Sequence, residues 1–118
     1  MYLYKAFSMK VHLIKRDTIE DYVLDQARSR PSFEDWLEKI KRADWQTPEH
    51  ILATFGSADL LGRSSFRVVF DVGGNNYRLI AKYWFGTSKV HLYIKWIGTH
   101  AEYTLLCKKN QQFTVDTY

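Results

Sequence analysis

Cysteine is nearly absent. Cys107 stands alone in 118 residues, so no disulfide can form within the chain, and a reducing, cytoplasmic setting is expected. Two prolines and six glycines are too few for a collagen-like or low-complexity chain. No apolar run approaches the roughly 18 residues of a membrane span. The opening segment, Met1–Lys5, lacks the apolar centre and small-residue cleavage site of a signal peptide, so no membrane partner is expected. His12, His50 and His91 have no ligand spacing with one another or with Cys107, which argues against zinc. Gly73-Gly74 is not followed by a helix and no Gly-x-Ser-x-Gly occurs, so neither a phosphate loop nor a nucleophile elbow is expected. No metal and no cofactor are expected.

What is present fits one globular domain over residues 1–118. Hydrophobic residues make up 46% and charged residues 25%, enough to bury a core without staples. Aromatic residues reach 16%, rich enough that some rings should lie on a surface. The net charge is +4 and unevenly spread. Residues 1–62 hold nine Lys/Arg against ten Asp/Glu, whereas residues 63–118 hold eight against three. A basic second half points to a polyanion such as nucleic acid, although a merely solvated basic surface would read the same way.

The pattern along the chain predicts an α+β domain. Residues 10–15 read as a first strand. Asp17 with Glu20 predicts a capping box, and Ile19, Tyr22 and Val23 mark the buried face of a first helix. Pro31 breaks it. Ser32 is expected to cap a second helix whose Phe33, Trp36, Leu37 and Ile40 form an amphipathic stripe, with Glu38 and Arg42 spaced for an ion pair. Thr47-Pro48 starts a short third helix, and 56–65 reads as a loop. From Phe66 the period becomes 2, predicting a three-stranded meander over 66–72, 77–85 and 89–97. Its turns lie at Gly73–Asn76 and Gly86–Ser88. Thr99 with Glu102 predicts a capping box for a short C-terminal helix. In the tail from 108 to 118, Phe113 and Val115 alternate with polar residues as in an edge strand, expected to dock on its own domain or on a partner.

Alternation separates two sheet faces. Phe66, Val68, Phe70, Val72, Tyr77, Leu79, Ala81, Tyr83, Phe85, Val90, Leu92, Ile94 and Trp96 form an apolar face, expected to lie under the helices. Arg67, Val69, Asp71, Arg78, Ile80, Lys82, Trp84, His91, Tyr93, Lys95 and Ile97 form the other. Cations neutralise phosphates and flat rings accept unstacked bases, so this second face could hold single-stranded RNA. A solvated face whose lysines suppress edge pairing would carry the same residues. His100 in the first turn of the last helix, with Tyr103 one turn on, could transfer protons, or could simply start a helix.

Residues 67–75 (RVVFDVGGN), 77–82 (YRLIAK) and 93–103 (YIKWIGTHAEY) resemble the HigB toxins of the RelE-like ribonuclease superfamily, as does Ala43–Pro48. The resemblance covers roughly residues 9–107. Lys95 stands where the family is expected to favour Arg, and Thr104 where it favours Asp. Met9 resembles the family's usual start, making residues 1–8 a candidate extension. The resemblance implies a RelE-like fold with the helices on one face of a mainly antiparallel sheet. It also implies a metal-independent mRNA interferase, cutting mRNA by 2′-hydroxyl attack, often on the ribosome, and silenced by a HigA-like helix-turn-helix antitoxin. On this reading His100, Tyr103, Arg67, Arg78 and Lys82 are catalytic candidates. Arg67, Arg78, Lys82, Lys95, Trp84 and Tyr93 are candidates for holding RNA. A non-catalytic RNA-binding module using the same face, or a protein-interaction domain, are the competing readings.

Overall fold

The computed structural model describes residues 8–118; of the candidate extension 1–8, all but Ser8 lies outside them. Strand β1 (Lys10–Ile14) leads to α1 (Asp17–Asp25), a single 3-10 turn at Ala27–Ser29, α2 (Arg30–Arg42) and α3 (Pro48–Thr54). Then come β2 (Asp59–Leu61), β3 (Arg67–Val72), β4 (Tyr77–Phe85), β5 (Lys89–Thr99), α4 (His100–Lys108) and a 3-10 turn at Gln111–Phe113. The strands form one sheet in the order β1-β5-β4-β3-β2, with β1 parallel to β5 and every other pair antiparallel. This is the expected α+β class, consistent with a RelE-like fold.

The core lies between the sheet and helices α1 to α3. Ile19, Val23, Phe33, Trp36, Ile40 and Ile51 pack on Val68, Phe70, Leu79, Ala81, Leu92 and Ile94. The helical stripe therefore meets the apolar sheet face, as its 3.6-residue spacing requires. Edge-to-face rings knit the layers: Phe70 lies 5.2 Å from Trp36 and 4.9 Å from Phe55. On the solvent side Glu38 and Arg42 pair at 3.3 Å.

Local chemistry departs from expectation at several places. No capping box forms at Asp17: α1 starts at that residue, and Glu20 pairs with Arg16 at 3.8 Å. Helix α2 starts at Arg30, so Pro31 sits in its first turn, where a missing N–H is harmless, and Ser32 lies inside the helix instead of capping it. Thr47 precedes α3 but makes no side-chain cap bond. The expected loop 56–65 contains β2, whose three residues are too few to show a period. Phe66 precedes the strand instead of opening it. Its φ of 57° and 45% exposure place its ring outside the core, against Tyr83 and Trp84 at 6.2 and 5.9 Å. The tail forms a 3-10 turn and no strand.

The period-2 reading of β5 also fails at one residue. Ile80 pairs with Trp96 and Ala81 with Ile94, so Lys95 is an extra residue, a β-bulge. Beyond it the faces exchange. Ile97, expected outside, joins the core, while Trp96, expected inside, shares the outer face with Ile80.

The β3–β4 turn uses Gly73 and Gly74 at φ of 67° and 64°. A Cβ on Gly73 would meet Ser32 Oγ at 2.8 Å, whereas one on Gly74 would meet nothing within 4 Å. Gly74→Ala should therefore cost only the left-handed penalty of about 1–2 kcal/mol. Gly73→Ala should cost more, and Ser32→Gly should recover the excess in a double-mutant cycle of urea unfolding. Equal costs for the two alanines would show that α2 does not press on the turn.

Candidate nucleic-acid interface and reaction centre

Arg67, Arg78, Lys82, Trp84 and Tyr93 lie on the outer face, as alternation predicts, but in two separate groups. Arg67, Lys82 and Tyr93 form one row across β3, β4 and β5; Asp71, Arg78 and Gly98 form another. The rows are four residues apart along β3, about 13 Å at the usual strand rise. The guanidinium groups of the two arginines are held by different partners, Arg67 by the Gln112 and Val115 carbonyls and Arg78 by Asp71 and Asn75.

At the Arg78 end, α4 packs back against β4 and β5, and Val69 and Ile80 of the outer face are buried. Arg78, His100, Tyr103, Thr104, Cys107 and Lys108 line a shallow cavity of about 400 Å³. The helical members fall at i, i+3, i+4, i+7 and i+8, one face of α4. That spacing, legible in sequence, would have added Thr104, Cys107 and Lys108 to the candidates. The helix start is held firmly. Thr99 Oγ accepts from Glu102 N at 3.2 Å, Glu102 Oε1 accepts from Thr99 N at 2.7 Å, and His100 N donates to Asn76 O at 3.0 Å. These bonds engage the N–H groups of Thr99, His100 and Glu102, and the Glu102 carboxylate sits beside them.

Arg78 is 7% exposed, and each of its three guanidinium nitrogens has a partner. Its Nε meets Asp71 Oδ1 at 3.0 Å, while Nη1 and Nη2 donate to Tyr77 O and Asn75 Oδ1 at 3.0 and 2.8 Å. Burial pushes the Tyr103 phenol well above its ordinary range, helped by its hydrogen bond to Cys107 and nearby Asp59, with Arg78 opposing. Tyr103 is therefore a neutral hydrogen-bonding group at working pH, not a base. Its ring lies 6.2 Å from Trp96.

The other end is open. Lys82 is exposed and makes no hydrogen bond or ion pair with a described residue. Trp84 is 56% exposed, and Tyr93 is exposed as well. Rings that sequence reading did not name as candidates join them: His12 lies 5.8 Å from His91, His91 lies 6.4 Å from Tyr93, and Phe66 packs against Trp84. His12 could not be placed here without the parallel β1–β5 register, which sets it opposite His91. Strands β1, β4 and β5 carry Lys10, Arg78, Lys82, Lys89 and Lys95 and not one acidic residue.

Between the two ends runs the C-terminal tail. Arg67, only 6% exposed, donates through Nη1 to Gln112 O and Val115 O at 3.2 and 2.7 Å. Lys95 Nζ pairs with Asp116 at 3.2 Å, and Lys95 O accepts from Thr117 N at 2.9 Å. Arg63 stacks on Phe113 at 4.2 Å. The tail thus docks on its own domain, over two of the expected RNA-binding cations. Among the described residues no three His, Cys, Asp or Glu side chains are grouped to hold a metal ion, and no helix is long and apolar enough to cross a membrane.

A family model described as HigB toxin, the RelE-like toxic component of a toxin–antitoxin system, matches residues 29–106. The chain is 30% identical over 98 residues to "mRNA interferase HigB" of Escherichia coli O6:H1, covering 83% of this chain and 93% of that protein. It is 29% identical over 93 residues to "mRNA interferase toxin HigB" of Escherichia coli K12, covering 79% and 88% respectively.

Burial raises the phenols of Tyr83, Tyr103 and Tyr118 above their usual value and pushes Tyr22 up to about 12. The unfolded chain ionises these groups near about 10, so above that pH it binds fewer protons than the native state. Stability should be insensitive to them near neutrality and fall as pH rises beyond about 10. Urea unfolding at stepped pH should show that fall, and Tyr22→Phe and Tyr103→Phe should each make it shallower. A fall of the same steepness in both variants would locate the alkaline sensitivity elsewhere.

Proposed function

The chain belongs to the HigB family of RelE-like toxins, and from that premise we propose that it is an endoribonuclease that cleaves mRNA without a metal ion. The observation that carries the reading is the meeting of Arg78, His100, Tyr103 and Lys108 on one cavity, beside strands β4 and β5 that carry cations and no acidic residue. Attack of a ribose 2′-hydroxyl on the adjacent phosphorus needs a proton removed from the nucleophile, a proton given to the departing 5′-oxygen, and positive charge for the phosphorane. His100 moves one of these protons. Lys108 and Arg78 offset the developing charge, with Arg78 already oriented by Asp71 and Asn75. Tyr103, held neutral, orients the phosphate by hydrogen bonding. The P–O5′ bond breaks, leaving a 2′,3′-cyclic phosphate and a free 5′-hydroxyl.

Lys82, Trp84 and Tyr93 serve the flanking nucleotides, where a free ammonium meets phosphate and exposed rings accept bases. Such a surface suits single-stranded mRNA, presented by the ribosome in a cytoplasmic setting. The toxin–antitoxin family implies a neutralising partner, here proposed to be a HigA-like helix-turn-helix protein. Arg67 and Lys95 stand apart from this centre because the tail engages them.

Cleavage should persist in EDTA and leave cyclic phosphate or 3′-phosphate ends, read by mass spectrometry of a short oligonucleotide. His100→Ala should lose about 10²–10⁴-fold in rate, the usual worth of one general acid or base, with a much smaller change in RNA affinity. Lys108→Ala should slow cleavage less, and Lys82→Ala should weaken binding more than it slows the bound complex. A folded His100→Ala protein cutting at the wild-type rate removes histidine from the chemistry. Wild-type protein that binds RNA and never cuts it would favour the non-catalytic module.

A further inference from the structure

Arg67 and Lys95 present a site that is built for anions and already filled. The acceptors on Arg67 are two neutral carbonyl oxygens, of Gln112 and Val115, and the acceptor on Lys95 is the Asp116 carboxylate. Two cations thus face one carboxylate, and burial works against the Arg67 charge while Asp116 supports it. Arg67 shares a row with Lys82 and Tyr93 on the outer face, and Lys95 lies two residues beyond Tyr93 along β5 towards Gly98 and His100, so the site borders the open rings on the side of the His100 cavity.

We propose that residues 111–118 are an internal competitor for RNA: their oxygens occupy the phosphate seats of Arg67 and Lys95, and single-stranded RNA displaces them. This rests on the ribonuclease reading. The tail is suited to leave. None of its eight residues is fully buried, so its release forfeits little packing. Its hold consists of the Arg67 and Lys95 bonds, the Thr117 N–H on Lys95 O, the Arg63–Phe113 stack and the partly buried Tyr118. An RNA phosphate would give the Arg67 guanidinium an ionised, bidentate acceptor in place of two neutral carbonyls, and would give Lys95 one anion in exchange for another. The exchange therefore favours RNA where RNA is dense and favours the tail where it is not. The consequence is a toxin whose free form holds part of its RNA path closed.

The test uses a single-stranded 2′-O-methyl RNA oligonucleotide, which binds without being cut, and three proteins: the intact chain, a deletion of 111–118, and Asp116→Asn. Fluorescence anisotropy should show tighter binding by the deletion, on the order of tenfold, the worth of one to two net hydrogen bonds. Asp116→Asn should bind a few-fold tighter. In the intact chain the oligonucleotide should speed hydrogen exchange at the Thr117 amide, which the Lys95 carbonyl protects in the free protein. Should the deletion fail to fold, Asp116→Asn decides, because that side chain is exposed and its loss leaves the fold intact. Equal or weaker binding by the folded variants, with Thr117 exchange unmoved, overturns the competitor while leaving the ribonuclease reading standing if the intact chain still cuts RNA. No binding by any of the three proteins, with no cleavage, overturns both.

Discussion

The extra residue at Lys95 is the constraint on which the outer face depends. A strand has a side-chain period of two, so one inserted residue reverses everything after it. Up to Ile94, β5 sends Val90, Leu92 and Ile94 into the core; past the bulge it sends Ile97 there and turns Trp96 outward. That reversal gives Tyr103 a ring to lie near, where α4 packs back against β4 and β5. It also places Lys95 beyond the last β1 pair, at Tyr93, and leaves it unpaired with β4, with its carbonyl available to Thr117. One irregularity thus positions both the helix that carries His100 and the tail that crosses the face.

The face is divided by how its cations are satisfied. Burying a guanidinium demands compensation, and both buried arginines have it: Arg78 from Asp71, Asn75 and the Tyr77 carbonyl, Arg67 from the tail. Arg78 gains a rigid orientation beside the cavity and keeps little free hydrogen-bonding capacity. Lys82 pays no such cost and stays available. A pocket wall of fixed, paired charge next to a strip of free charge and exposed rings separates positioning at the reaction centre from capture of the strand.

Much of this was legible in the sequence. The stripe of Phe33, Trp36 and Ile40, the alternation from Val68 to Ile94, the Gly73-Gly74 turn and the Thr99–Glu102 box are short-range patterns, and local backbone geometry enforces them. Placing Arg67, Arg78, Lys82, Trp84 and Tyr93 on one side of the sheet needed nothing more than period. Lys108 was overlooked although its spacing from His100 and Thr104 on a single helix was visible. Caps at Asp17 and Ser32 were misread because a good capping residue is only one of several ways to begin a helix, and Pro31 in the first turn of α2 is another.

What the chain alone determined is therefore its class, the arrangement of its core and the chemical character of its outer face, since each arises from residues a few positions apart. Tertiary structure alone decided that Arg67 and Arg78 are separated, that His12 meets His91 across a parallel pair, and that Gln112, Val115 and Asp116 cover cations 21 to 48 positions away. Neither a bulge nor a docked tail leaves a periodic trace. Both are chosen by the competition of long-range contacts for buried charge and unpaired backbone, and that competition is settled only when the sheet has closed.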